Sequence, residues 1–154
     1  MFLERLVNAL NRDKIPYAIV GGVAVALHGA PRGTIDIDIV IKHEARFFKS
    51  IEACFKNLGF QSRLPVTAEE IFQFKNEYIN RRNLIAWSFY NTTNPIEVID
   101  VILTHDLSGM HVVSKRLGLS RLNVISIEDL IEMKTKSARK QDLEDIKVLR
   151  EILK

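Results

Sequence analysis

Residues 17–41 read YAIVGGVAVALHGAPRGTIDIDIVI, and the rest of the chain organises itself around this stretch. Tyr17–Val20 is an apolar run that stops at Gly21-Gly22, and Val23–His28 continues without a breaker, which predicts strand, glycine turn, helix. From Thr34 to Ile41 the residues alternate. Ile35, Ile37, Ile39 and Ile41 fall on one side, and Thr34, Asp36, Asp38 and Val40 on the other. A period of two carried by β-branched residues predicts a strand over 34–41. Asp36 and Asp38 then project from one face, where two carboxylates can share a hard cation. Thirteen residues separate Gly22 from Asp36, and the glycine pair sits where a strand turns into a helix whose free N–H groups and dipole favour a phosphate. An isolated Asp-x-Asp is most often a solvated strand face, and a Gly-Gly pair is usually only a turn. Together they place a phosphate cradle and a metal cradle on one sheet edge.

Working outward, Phe2, Leu3, Leu6, Val7 and Leu10 recur at helical spacing, and Ile15-Pro16 ends that pattern, because proline disfavours helix in the residue before it. Residues 44–58 are helical by spacing and close at Gly59. Thr67-Ala68-Glu69-Glu70 has the form of a capping box opening a short helix. Leu84–Tyr90 and Ile96–Leu103 are apolar, aromatic-rich runs joined by Asn91-Thr92-Thr93-Asn94-Pro95, which predicts a hairpin. A further strand pair is expected within 111–125. Ser126 then caps a helix running to about Ala138, and a last helix starts near Gln141 with Leu143, Ile146, Leu149, Ile152 and Leu153 as its apolar residues. No repeat, low-complexity tract or linker interrupts the chain. The expectation is one α+β domain over 1–154, a mixed β-sheet flanked by helices, with a helical C-terminal segment from about 126.

Composition narrows the function classes. The chain has 154 residues, 47% apolar and 27% charged, which is globular composition, outside the regime of disordered chains. No apolar run approaches the roughly 18 residues of a membrane span, and Glu4 and Arg5 interrupt what would be a signal peptide's apolar stretch. A cytoplasmic protein without a membrane partner is expected. Cys54 is the only cysteine, so no intrachain disulfide forms, and its helical register with Ile51, Phe55 and Leu58 reads as packing. The Asn91-Thr92-Thr93 sequon reads as turn chemistry. A net charge of +3 and a pI near 9.1 suit a phosphate-rich ligand without requiring one.

The segment VGGVAVALHGAPRGTIDIDIVI resembles the signature of the DNA polymerase β-like nucleotidyltransferase superfamily: a glycine-rich turn, then Asp-x-Asp between apolar residues. Taken with His28-Gly29, Arg32-x-Thr34 and the tail DLIEMKTKSARKQDLEDIKVL, the chain is most similar to AbiEii-like and related minimal nucleotidyltransferases. The resemblance covers about 17–41, 96–103 and 126–150. It implies a nucleotidyltransferase fold and a third carboxylate on a later strand, for which Asp100 stands in the right context. It further implies that Asp36, Asp38 and Asp100 hold Mg²⁺ or Mn²⁺ while an acceptor hydroxyl attacks the α-phosphate of a nucleoside triphosphate and pyrophosphate leaves. Asp100 would also draw the acceptor proton. Gly21, Gly22, Arg32, Thr34 and Lys134 would bind the nucleotide, and Arg139 and Asp142 match recurrent positions of the tail.

Each of these residues has a plainer reading. Lys134, Lys136, Arg139 and Lys140 form a solvated helix face, Arg32 and Thr34 order the metal strand, His28 is structural, and Trp87 is core. Neither glycine is serine, so phosphate contacts here would come from backbone N–H groups. The acceptor, whether protein, RNA or small molecule, has little room for a domain of its own, so a protein partner or a second copy of the chain would bind it. The alternative function is a non-catalytic or partner-controlled module of a toxin-antitoxin pair. A nucleic-acid-binding domain is disfavoured because the sequence lacks a clustered basic and aromatic groove.

Overall fold

The computed structural model describes residues 1–154 throughout. Thirteen elements follow in order: α1 (Phe2–Arg12), β1 (Tyr17–Val20), α2 (Gly21–Leu27), β2 (Ile37–Ile41), α3 (Ala45–Asn57), β3 (Phe60–Ser62), α4 (Ala68–Arg82), β4 (Ala86–Asn91), β5 (Val98–Ile102), β6 (Val112–Leu117), β7 (Ser120–Ile125), α5 (Ile127–Ser137) and α6 (Lys140–Leu153). The strands make one seven-stranded mixed sheet in the order β3-β4-β5-β2-β1-β7-β6. β2 lies at its centre, antiparallel to β1 and parallel to β5. This position explains its sequence. Ile37, Ile39, Val40 and Ile41 are all buried, as a strand flanked on both sides requires.

Strand parity sorts the sheet into two faces. Trp87 pairs with Val101, and Phe89 with Ile99. On that face Trp87 stacks against Phe48 of α3 at 6.0 Å between ring centroids, and Phe89 meets Phe55 edge-on at 4.9 Å. Phe48 and Trp87 are fully buried, so truncating Phe48 to alanine costs about 3–5 kcal/mol of stability. The opposite face carries a polar row. Ser88 stands beside Asp100, Asp100 beside Asp38, and Asp38 beside Val20.

Local signals behave as the residues dictate. Thr67 Oγ1 accepts from Glu70 N at 3.2 Å while Thr67 N donates to Glu70 Oε1 at 3.1 Å, which closes the capping box of α4. That element spans fifteen residues but breaks at Phe74 (φ −108°, ψ 16°), so the box opens a short helix and a second segment continues to Arg82. Asn91 Oδ1 accepts from Thr93 N at 3.0 Å, so the sequon is a turn. Cys54 is buried, and burial pushes its thiol up to about 12, which leaves it an inert packing group.

One boundary and one strand differ from the sequence reading. The strand expected over 34–41 begins at Ile37. β1 offers its last partner, Val20, opposite Asp38, and the chain then turns into α2. Residues 34–36 have no strand to pair with, so alternation alone does not extend the ladder. β3 was not expected. It has three residues with only Phe60 buried, too short for a period to register.

Candidate active site

The site forms at the end of β1, β2 and β5, in a cavity of about 510 Å³ whose lining includes Gly21, Gly22, Arg32, Thr34, Asp36, Asp38, Ser88, Asp100, Lys134 and Arg139. Asp38 and Asp100 stand directly opposite each other in the parallel register. Ser88 Oγ donates to Asp100 Oδ1 at 2.5 Å, which orients one oxygen and leaves the rest of that carboxylate toward Asp38. Burial, and then the charge of Asp100, push the Asp38 carboxyl up to about 7. A half-buried carboxyl beside a second carboxylate holds its proton more tightly because both charges together are costly.

Gly21 makes this geometry possible. Its φ is +68°, and a Cβ built on it would sit 2.1 Å from Asp38 Oδ2, inside the carboxylate itself. Only glycine combines that dihedral with so close an approach. Gly22 is different. A Cβ there would meet Thr34 Cγ2 at 3.0 Å and Arg32 Cζ at 3.5 Å. Gly22 therefore does not open onto clear space. The 30–36 loop packs on it instead, so valine there displaces Thr34 and Arg32.

Asp36 precedes the strand and is exposed. Its charge reaches Asp38, raising that carboxyl after burial and Asp100 have done so. The three acids line one cavity, but no three His, Cys, Asp or Glu side chains are drawn together as a ready-made metal cage. The strands preset a pair, and the loop carries the third acid.

A second charged cluster closes the cavity from the helical side. Lys134 Nζ lies 2.9 Å from Asp145 Oδ2 and 3.3 Å from Asp142 Oδ1, with the lysine side chain only 6% exposed. The plainer expectation for Lys134, a solvated helix face, is therefore corrected. α6 packs against this face of α5 and supplies two acids, which is what permits a lysine to be buried. Asp145 also accepts from Arg32 Nε at 3.1 Å, Arg32 Nη2 at 3.3 Å and Gln141 Nε2 at 3.1 Å. Arg139, by contrast, keeps 76% of its side chain exposed while its Nε bonds Asp142 at 2.9 Å. Burial alone would raise both acids. Hydrogen bonds from Arg139 and Ser137 hold Asp142 well below the usual carboxylate range, and bonds from Lys134, Arg32 and Gln141 lower Asp145.

His28 lies outside the cavity, with Nε2 2.7 Å from the carbonyl oxygen of Ile125. That contact makes Nε2–H the donor and the residue a structural tie between α2 and β7. Sequence reasoning missed Ser88 and Asp145. Ser88 was discoverable, since it alternates with Trp87 and Phe89 and so faces away from the core. Asp145 was discoverable only as a polar residue beside the apolar stripe of α6.

This arrangement of sheet and helices is the nucleotidyltransferase fold. The chain superposes on the antibiotic-resistance factor ANT(2'')-Ia with a TM-score of 0.68 over 99% of this chain and 83% of that one, at 14% identity. It superposes on the lincomycin-bound lincosamide antibiotic adenylyltransferase LnuA with a TM-score of 0.64, 98% and 96% coverage and 16% identity. An antigenic nucleotidyltransferase-like protein from Paracoccidioides brasiliensis gives 0.59, 94% and 71%, at 18% identity. No protein-family model and no curated protein matches the sequence. No helix is long and apolar enough to cross a membrane.

Proposed function

We propose that the protein is a metal-dependent nucleotidyltransferase, moving a nucleoside monophosphate from a nucleoside triphosphate to the hydroxyl of an acceptor. The observation that carries this reading is the Ser88–Asp100–Asp38 row set against Gly21. It presents two carboxylates beside a helix start whose first residue, Gly21, carries no side chain of its own. The donors are hard oxygens, and burial followed by the charge of Asp100 raises Asp38, so they fit Mg²⁺ or Mn²⁺. Such an ion would rest on Asp38 and Asp100, with Asp36 closing from the loop, and would supply charge neutralisation and acidify the acceptor hydroxyl.

The remaining work falls to the chain's own groups. The N–H groups of the Gly21-Gly22 turn meet phosphate oxygens. Thr34 holds the turn in place, while Arg32, Lys134 and Arg139 offset the triphosphate charge. The acceptor oxygen bonds to the α-phosphorus, the bridging bond to the β-phosphate breaks, and pyrophosphate carries away the electron pair. Asp100, steadied by Ser88, takes the hydroxyl proton. Arg139 and Asp142, which match recurrent positions of the AbiEii-like tail and bond to each other at 2.9 Å, support that likeness. The solved neighbours named for antibiotics support a nucleotide and a separate acceptor as the two substrates.

Incubation with each labelled triphosphate, Mg²⁺ and cell extract tests the reading. The expected result is a labelled acceptor with the parent and none with Asp38→Asn. Labelling that survives the substitution would refute the assignment.

A further inference from the structure

Residues 31–36 lead into β2 without secondary structure, and they bring Arg32, Thr34 and Asp36 to the cavity. The backbone of this loop makes no hydrogen bond to the rest of the chain, and Pro31 has no N–H to give. Its one polar tie is Arg32, which donates to Asp145 through Nε at 3.1 Å and Nη2 at 3.3 Å. Asp145 stands 113 residues further along the chain. It is only 3% exposed and does not itself line the cavity.

The same carboxylate reaches the opposite wall. Its Oδ2 accepts from Lys134 Nζ at 2.9 Å, so one oxygen stands between two cations that would otherwise repel each other. Gln141 Nε2 adds a bond to Oδ1 at 3.1 Å. With both oxygens engaged twice, Asp145 has no capacity left for a ligand. It decides instead which donors its partners keep. The fork to Asp145 occupies the Nε and Nη2 edge of Arg32 and leaves Nη1 on the other edge. Lys134 gives N–H groups to Asp142 and Asp145 and keeps a third. Both cations line the cavity. The guanidinium carbon of Arg32 lies 3.5 Å from where a Cβ on Gly22 would be, which sets its donors beside the glycine turn.

We infer that Asp145 is the positioning residue of the nucleotide site: from behind the wall it holds Arg32 and Lys134 together at the Gly21-Gly22 turn, with their remaining N–H groups left for the triphosphate. This inference rests on the proposed function. Asp145 also anchors the loop that carries Asp36, so one helical acid sets both the phosphate-facing cations and the third carboxylate. It acts through these groups and touches no substrate itself.

Nucleotide titrations on the full chain test this. ATP, GTP, CTP and UTP are titrated with Mg²⁺, and the tightest binder is then compared with its own monophosphate. Asp145→Asn keeps the side chain's shape but turns an N–H₂ toward donors that need an acceptor. It should weaken triphosphate binding about tenfold or more and monophosphate binding less than about twofold, because the charge-assisted bonds at stake go to the phosphate tail. An acid that only stabilised the fold would lower the melting temperature and leave the two affinities in proportion. Arg32→Lys covers the case in which Asp145→Asn does not fold. It keeps the charge on a loop residue and gives up the two-pronged contact, so the same loss, confined to the triphosphate, is expected. Triphosphate binding equal to the parent's in either folded variant, or equal losses for triphosphate and monophosphate, overturns this inference alone. A parent that binds none of the four triphosphates overturns the proposed function and this inference with it.

Discussion

Two groups of acids stand in opposite electrostatic states, one lining the cavity and the other behind the Lys134 and Arg139 that line it. Asp38 and Asp100 lie on neighbouring strands with no cation between them, and burial with mutual repulsion raises Asp38 to about 7. Asp142 and Asp145 lie on one helix, more fully buried than the half-buried strand pair, and are lowered because Lys134, Arg139, Ser137, Arg32 and Gln141 supply their hydrogen bonds. The helical pair is a finished structural unit. The strand pair is unfinished, and under the proposed function its repulsion would favour a ligand that brings positive charge. The difference teaches that buried acids mark a binding site only where the protein withholds their partners.

The contrast breaks most visibly at Lys134. Replacing it with methionine leaves Asp142 and Asp145 buried without their shared ammonium, and the expected loss is about 3–5 kcal/mol, on the pattern of one-sided removal of a buried pair. Urea denaturation measures it. A loss under about 1 kcal/mol would mean that water or Arg32 takes over the lysine's role.

Asp38→Asn acts in the reverse direction. It removes the repulsion at the strand pair, so the metal-free protein should gain about 2 kcal/mol, while Mg²⁺ no longer raises its melting temperature. Thermal melts with and without Mg²⁺ on parent and variant read both effects. A variant less stable than the metal-free parent would show that Asp38 is held by contacts rather than strained by charge.

The two clusters should also separate by pH. The folded Asp38 binds its proton more tightly than the unfolded chain, so without metal this group's contribution falls as pH rises from about 4 to about 7 and is level above that. Asp142 and Asp145 bind protons more weakly when folded. Their contribution is complete above the unfolded value near 4 and is lost as pH falls below it. Stability of the metal-free protein should therefore peak in the mildly acidic range. In saturating Mg²⁺ the decline between about pH 5 and 7 should disappear, because a bound cation removes the reason for the raised value. A pH series of denaturation curves checks this, and a decline unaffected by Mg²⁺ would place its origin elsewhere.

The smallest effect is expected at Arg139. Its guanidinium is largely in water, so Arg139→Ala should cost only about 0.5–1 kcal/mol. Nucleotide affinity should drop more than stability does, which titration of the parent and variant with a Mg²⁺-bound triphosphate would show.

The stretch 17–41 determined a good deal by itself. The alternation of Ile37, Ile39 and Ile41 with Asp38 can be satisfied only by a strand with one oily face, and Gly21-Gly22 after an apolar run can only be a sharp turn. The hairpin of β4 and β5, the Thr67 cap and the packing role of Cys54 were legible for the same reason, since each is a local pattern. What tertiary structure alone decided is what stands opposite what. The start of β2 at Ile37 depended on where β1 runs out, and Gly21's necessity on how near Asp38 comes. The partners of Lys134 depended on α6 folding back over α5. Charge state follows these juxtapositions, because an aspartate's pKa is set by the few ångströms around it. Asp38 and Asp145 look alike in the sequence, yet one has no ion pair and the other has Lys134 and Arg32.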